Sequence, residues 1–139
     1  MFAEFELWCS EQVRQGKALT ADGLCAKYAE LNRLYYGDDI VADPEIALEW
    51  ARIPHFYYNF YVYQYATGFA SAVALSQRIL REGQPAVDDY LHFLSGGCSA
   101  DPVTPLQGAG VDLSTPAPID DALRYFDTLL GEMEALMSA

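Results

Sequence analysis

The sequence predicts an all-α fold, and three observations carry that prediction. Apolar residues recur at spacings of three and four along most of the chain. Glycines, prolines and capping residues punctuate those stretches where helices would start and stop. No period-two alternation marks a strand, and no internal repeat is visible.

The elements follow in order. Phe2, Phe5, Cys9 and Val13 make one face of a helix over about 2–15, which Gly16 ends. Thr20 is placed to cap a second helix with the stripe Leu24, Tyr28, Leu31 and Tyr35, closed by Gly37 ahead of the acidic loop Asp38-Asp39. Asp43-Pro44-Glu45 reads as a helix start: a capping acid, a proline in the first turn and a second acid near the positive end of the dipole. The short segment to Arg52 meets Pro54, which lacks an N–H and restricts Ile53 before it. A long helix is expected from His55 to Glu82, closed by Gly83. Pro85 opens the next, with Val87, Leu91 and Leu94, stopped by Ser95-Gly96-Gly97. Residues 96–118 are a Gly/Pro-rich connection with room for one helical turn at Pro105 to Ala109. Pro118 starts the last helix, whose stripe is Ile119, Ala122, Leu123, Phe126, Leu129, Leu130, Met133 and Met137.

Composition excludes several functions. Twenty acidic residues against 8 basic ones give a net charge of -12, so no basic cluster exists to neutralise nucleic-acid phosphates, and an anionic membrane surface would repel the chain. Hydrophobic residues reach 52%, enough for a packed core. The longest apolar stretch, around Ala66 to Leu75, is interrupted by Thr67, Gly68 and Ser71 and does not read as a membrane span. Cys9, Cys25 and Cys98 are scattered and odd in number, the pattern of free thiols in a reducing compartment. With an acidic N-terminus where a signal peptide would be basic, the expected location is the cytoplasm.

The chemistry concentrates in IPHFYYNFYVYQYATG, residues 53–68. Five tyrosines fall within nine positions, each with an O–H that needs a partner if buried. On a continuous helix Tyr58 and Tyr65, seven apart, share a face, with Tyr61 between them and His55 joining if the helix has begun by then. Such a stripe more often serves as core than as a site. Pro54-His55 at a kink favours a pocket, because kinks shape cavities. The smaller residues that follow, Ala66, Gly68, Ala70, Ser71, Ala72 and Ala74, suit close helix packing. His92 has no ligand partner at metal spacing and reads as structural. No His-Glu-x-x-His or other ligand pair is present, so these residues hold no metal.

At IPHFYYNFYVYQYATG the sequence resembles the oligoendopeptidase F family, relatives of thimet oligopeptidase. MFAEFE, LTADGLC, YYGDDIV, EIALEWAR, ILREG, YLHFLSGGCSADP and LQGAGVD extend the resemblance over nearly the whole chain, in the order of the family's C-terminal region. The resemblance implies an all-α, zincin-type oligopeptidase with a deep substrate channel between two halves. It implies zinc held by the two His of a His-Glu-x-x-His helix and a further Glu. The motif's own Glu would act as general base. None of these is in the chain, so residues 1–139 are expected to be a C-terminal segment of the catalytic domain, inactive alone. The expected partners are a short peptide substrate and the N-terminal part of the enzyme.

In the thimet branch a His and two Tyr seven residues apart bind the substrate backbone and the oxyanion. The two-tyrosine spacing carries those roles to Tyr58 and Tyr65, and the histidine role to His55, whose gap to the tyrosine is shorter than in that branch. Tyr61 and Tyr63 are the further substrate-side candidates, Tyr63 standing in reserve for the oxyanion. Two readings from other classes compete: a helical interaction module with the aromatic segment as its groove, and a bundle binding a small molecule among the tyrosines.

Overall fold

The structure is a computed structural model that describes residues 1–138. Every regular element among them is helical. In chain order these are α1 (Phe2–Arg14), α2 (Ala21–Tyr36), two tight 3-10 segments, η1 (Pro44–Arg52) and η2 (Pro54–Tyr57), then α3 (Tyr63–Glu82), α4 (Gln84–Gly96), α5 (Val103–Gly108) and α6 (Ala117–Met137). The all-α expectation holds. The chain divides into two compact units, Met1–Gln64 and Tyr65–Ala139.

The first unit is built on rings. Phe5 of α1 and Tyr28 and Leu31 of α2 are fully buried, and Phe2, Leu24, Trp50 and Phe56 close around them. Phe5 meets Tyr28 edge-on, 5.2 Å between centroids at 87°, and Phe2 meets Phe56 at 5.6 Å and 76°. Edge-to-face pairs bring positive ring edges to negative faces, adding roughly 0.5–1.5 kcal/mol each beyond the area they bury. Thr20 caps α2 as expected, its Oγ1 accepting from the Gly23 N–H at 3.2 Å. Gly37 ends α2 at φ 74°, a conformation that costs glycine nothing. The buried Tyr28 hydroxyl donates to Glu49 of η1 at 2.7 Å, and Glu49 also pairs with Arg52.

Three expectations fail in this unit. Asp43 makes no side-chain cap, and Pro44–Arg52 winds as a 3-10 helix rather than an α-helix. Tyr35 lies exposed although its spacing placed it on the buried stripe; its hydroxyl reaches Glu4 at 2.9 Å. The single helix from His55 to Glu82 does not exist. The chain makes η2, turns through Asn59 and Phe60 with φ at 46° and 60°, and starts α3 only at Tyr63.

The second unit packs small groups. Leu75 of α3 joins Leu106, Ala109 and Val111, with Tyr90 and Phe93 of α4 against them. Ala70 and Val73 of α3 meet Ile119 and Ala122 of α6, the close approach that the small residues of this stretch allow. Arg78 ties the unit together. It pairs with Glu82 and Asp89 at 2.9 and 2.7 Å and donates to the Ala109 carbonyl at 2.7 Å. The buried face of α4 is Ala86, Tyr90 and Phe93; Leu91, Leu94 and His92 are exposed, a face different from the expected one. Along α6 only the start of the stripe is covered, and from Leu123 to Met137 its large apolar residues are exposed.

Candidate active-site segment

The aromatic segment is positioned from both ends. Pro54 fixes the entry to η2, after Ile53 in the extended conformation that a following proline imposes. Phe56 then inserts its ring against Phe5 at 5.1 Å and Phe2 at 5.6 Å, anchoring η2 to α1. Tyr57 points the other way and donates its hydroxyl to the Ala51 carbonyl at 3.2 Å. Beyond η2 the Phe60 N–H donates to the carboxylate of Glu6 at 2.9 Å, so α1 holds this end too.

Around those anchors three of the five sequence candidates come together. His55 stacks on Tyr61, 5.5 Å between centroids with planes 27° apart, and Tyr58 meets Tyr61 edge-on at 6.4 Å and 62°. The route to this cluster differs from the expected one. On a helix His55 and Tyr61, six positions apart, would point about 120° away from each other and lie about 9 Å apart along the axis. The broken helix brings them face to face. The helical argument for Tyr58 and Tyr65 on one face is overturned for the same reason: Tyr58 precedes the turn, and Tyr65 lies in the first turn of α3.

The tyrosines of this segment do not serve as core. Tyr57, Tyr58, Tyr61, Tyr63 and Tyr65 are all exposed, Tyr58 by 65%. Chemically, the segment offers an imidazole and several phenol O–H groups on its surface. Such groups can donate to a carbonyl or an oxyanion and lay aromatic faces along a peptide.

Beside the segment lies a mostly apolar cavity of about 290 Å³, lined among others by Phe5, Glu6, Cys9, Val13 and Phe56. Burial raises the Cys9 thiol above its ordinary value, which keeps it protonated and unreactive. Cys25 accepts from the Trp50 indole N–H at 3.5 Å, and all three cysteines are free thiols. Among the described residues no three His, Cys, Asp or Glu side chains gather where they could hold a metal ion, so the residues present do not fit a zinc site.

Sequence reasoning missed Glu6. The signal was there: Glu6 sits four after Phe2 and three before Cys9, an acid on the apolar face of α1.

The model for Peptidase family M3 matches residues 1–125. Oligopeptidase PepF of Bacillus subtilis (strain 168) is 53% identical over 137 residues, 99% of this chain and 20% of that protein. The plasmid oligoendopeptidase F of Lactococcus lactis subsp. cremoris is 43% identical over 136 residues, 98% of this chain and 23% of that protein. The crystal structure of oligoendopeptidase-F from Enterococcus faecium superposes with a TM-score of 0.87 at 44% identity, covering 98% of this chain and 26% of that one. The chain thus spans about a fifth to a quarter of the length of these relatives.

Proposed function

The chain belongs to peptidase family M3, and from that premise we propose that it is the substrate-side segment of a zinc endopeptidase that hydrolyses short peptides in the cytoplasm. The observation that carries this reading is the His55–Tyr61–Tyr58 cluster, its tyrosines exposed, on a stretch that α1 holds at Phe56 and Phe60. When a peptide carbonyl is attacked, its oxygen gains negative charge. A phenol O–H already aimed at that oxygen stabilises the charge without reorganising at the moment of reaction. Tyr58 and Tyr65 take this donor role, the assignment of Tyr65 resting on the family resemblance alone. His55 takes the histidine role, and Tyr61 and Tyr63 bind the substrate. The zinc ligands are assigned to a part of the whole enzyme outside these residues, and the segment is inactive by itself.

The test is a chimera in which this chain replaces the matching segment of the Bacillus subtilis relative, assayed on an internally quenched peptide. Tyr65→Phe removes one O–H and almost no volume. Turnover should fall on the order of 10²–10³-fold while KM changes little, because the lost bond strengthens only in the transition state. Tyr58→Phe should lower turnover or raise KM, according to which carbonyl it meets. Tyr57→Phe is the control, since its hydroxyl is spent on Ala51. Equal losses at Tyr57 and Tyr65 would reduce the segment to packing, and undiminished turnover in both Tyr58→Phe and Tyr65→Phe would remove the catalytic assignment.

A further inference from the structure

We propose that Glu6 is a positioning residue for the aromatic cluster: its buried carboxylate holds the left-handed Asn59–Phe60 turn that sets His55 against Tyr61. The inference rests on the proposed function for its purpose but not for its geometry.

Asn59 and Phe60 both have positive φ, 46° and 60°. Asparagine tolerates that region through local side-chain hydrogen bonds, but phenylalanine has no such means, and two such residues in a row are rarely sustained without an external hold. A continuing helix would pass the Phe60 N–H to the Phe56 carbonyl. Here it goes to Glu6 at 2.9 Å, across 54 positions of sequence.

Glu6 is only 8% exposed, on a helix face otherwise given to Phe2, Phe5 and Cys9. A carboxylate is costly to bury at such a place, and its return is a charge-assisted bond, stronger than any neutral acceptor would make to the same N–H. The neighbouring Phe5 grips Phe56. Successive residues of α1 therefore hold the two ends of the stretch that carries Tyr58. Without the Glu6 bond nothing prevents this stretch from continuing as a helix, in which Tyr61 would point about 120° away from His55.

The experiment is NMR on the full 139-residue chain, comparing the parent with Glu6→Ala and Glu6→Gln. Glutamine keeps an oxygen that can accept from Phe60; alanine does not. In Glu6→Ala the exchange of the Phe60 amide should quicken at least tenfold, and the ring-current shift of the His55 imidazole protons over Tyr61 should collapse. Signals of Phe5 and Tyr28 should stay in place. Glu6→Gln should keep both the protection and the stack.

The proposal is overturned if Glu6→Ala keeps the stack, if it unfolds the helical core as a whole, or if alanine and glutamine behave alike. In the chimera, Glu6→Ala should lower turnover and Glu6→Gln should restore most of it. A collapsed stack with unchanged turnover would uphold the positioning role and count against the catalytic reading of His55 and Tyr61, so the two ideas fail separately.

Discussion

Residues 1–64 and residues 65–138 solve the same packing problem with different materials. The first unit buries rings: Phe5, Tyr28 and their neighbours meet at defined angles, and its polar bonds, Tyr28 to Glu49 and Glu6 to Phe60, join elements far apart in sequence. The second buries Ala, Val and Leu in contacts that ask for proximity more than direction, and fastens three elements through Arg78. Ring edges and charged hydrogen bonds are directional, so they can fix the orientation of an attached loop. Small-residue packing supplies a rigid helix without specifying much beyond its distance. The candidate site residues His55, Tyr58 and Tyr61 lie in the unit whose core is directional.

The largest expected difference between the units follows from cutting each core. Phe5→Ala should cost about 3–5 kcal/mol, as deletion of a fully buried ring does. It should also free Phe56 and disperse the His55–Tyr61 stack. Leu106→Ala, near the surface of its cluster, should cost about 2–3 kcal/mol, the lower part of its range, and leave the stack alone. Urea unfolding with NMR of His55 checks both. A stack that survives Phe5→Ala would break the claim that the ring core aims the site.

A smaller effect separates the fasteners. Gly110 has φ 87°, and a Cβ there would lie 2.8 Å from Arg78 Nη1. Gly110→Ala should therefore cost on the order of 1–2 kcal/mol from the backbone alone and push Arg78 off its partners. Arg78→Met strands the Ala109 carbonyl and should lower the melting temperature by itself. Because both act on one fastener, the double variant should fall short of their sum. Full additivity would mean that Arg78 is not the shared element.

The smallest effect is in pH, and its sign differs between the units. Burial first, then the bond to Glu49, raises the Tyr28 phenol above its ordinary value near 10. The folded state keeps that proton longer than the unfolded one, so this contribution is complete below about pH 10 and fades as pH climbs past it. In the second unit the signs reverse. Bonds from Arg81 and then Arg78 lower the Glu82 carboxyl, and bonds from Ser114 and then Gln107 lower that of Asp112. Those contributions are present above the ordinary carboxylate range near 4 and fade as pH drops through and below it. Resolved signals of Phe5 and Leu106 followed from acid to alkali should show the second unit loosening first in acid and the first unit loosening first in alkali. Tyr28→Phe, at about 1 kcal/mol, should remove the alkaline difference. Coincident loss of both signals at either extreme would erase the distinction.

The helices that the sequence places correctly are those whose ends carry their own chemistry. Thr20 has a helix N–H within reach three residues on, and Gly37 and Gly83 can take positive φ. Spacing likewise selects Phe5, Tyr28 and Leu31 as core, because a helix carries its period wherever it lies. The family was legible for a related reason: residues 53–68 are a long motif, and a motif is read without folding it. Which face of α4 is covered depends on Leu106 and Ala109 arriving against Tyr90 and Phe93, and local spacing allowed two faces. The break at Asn59 and Phe60 is a clearer case. A run of rings satisfies a helix of period 3.6 as well as it satisfies a turn, and the deciding bond comes from Glu6 on another helix. The residues at hand in 53–68 were thus determined by sequence alone. Their arrangement, with His55 on Tyr61 and Tyr58 beside them, was decided in three dimensions, because the energy that pays for two left-handed residues is supplied by a carboxylate 54 positions away.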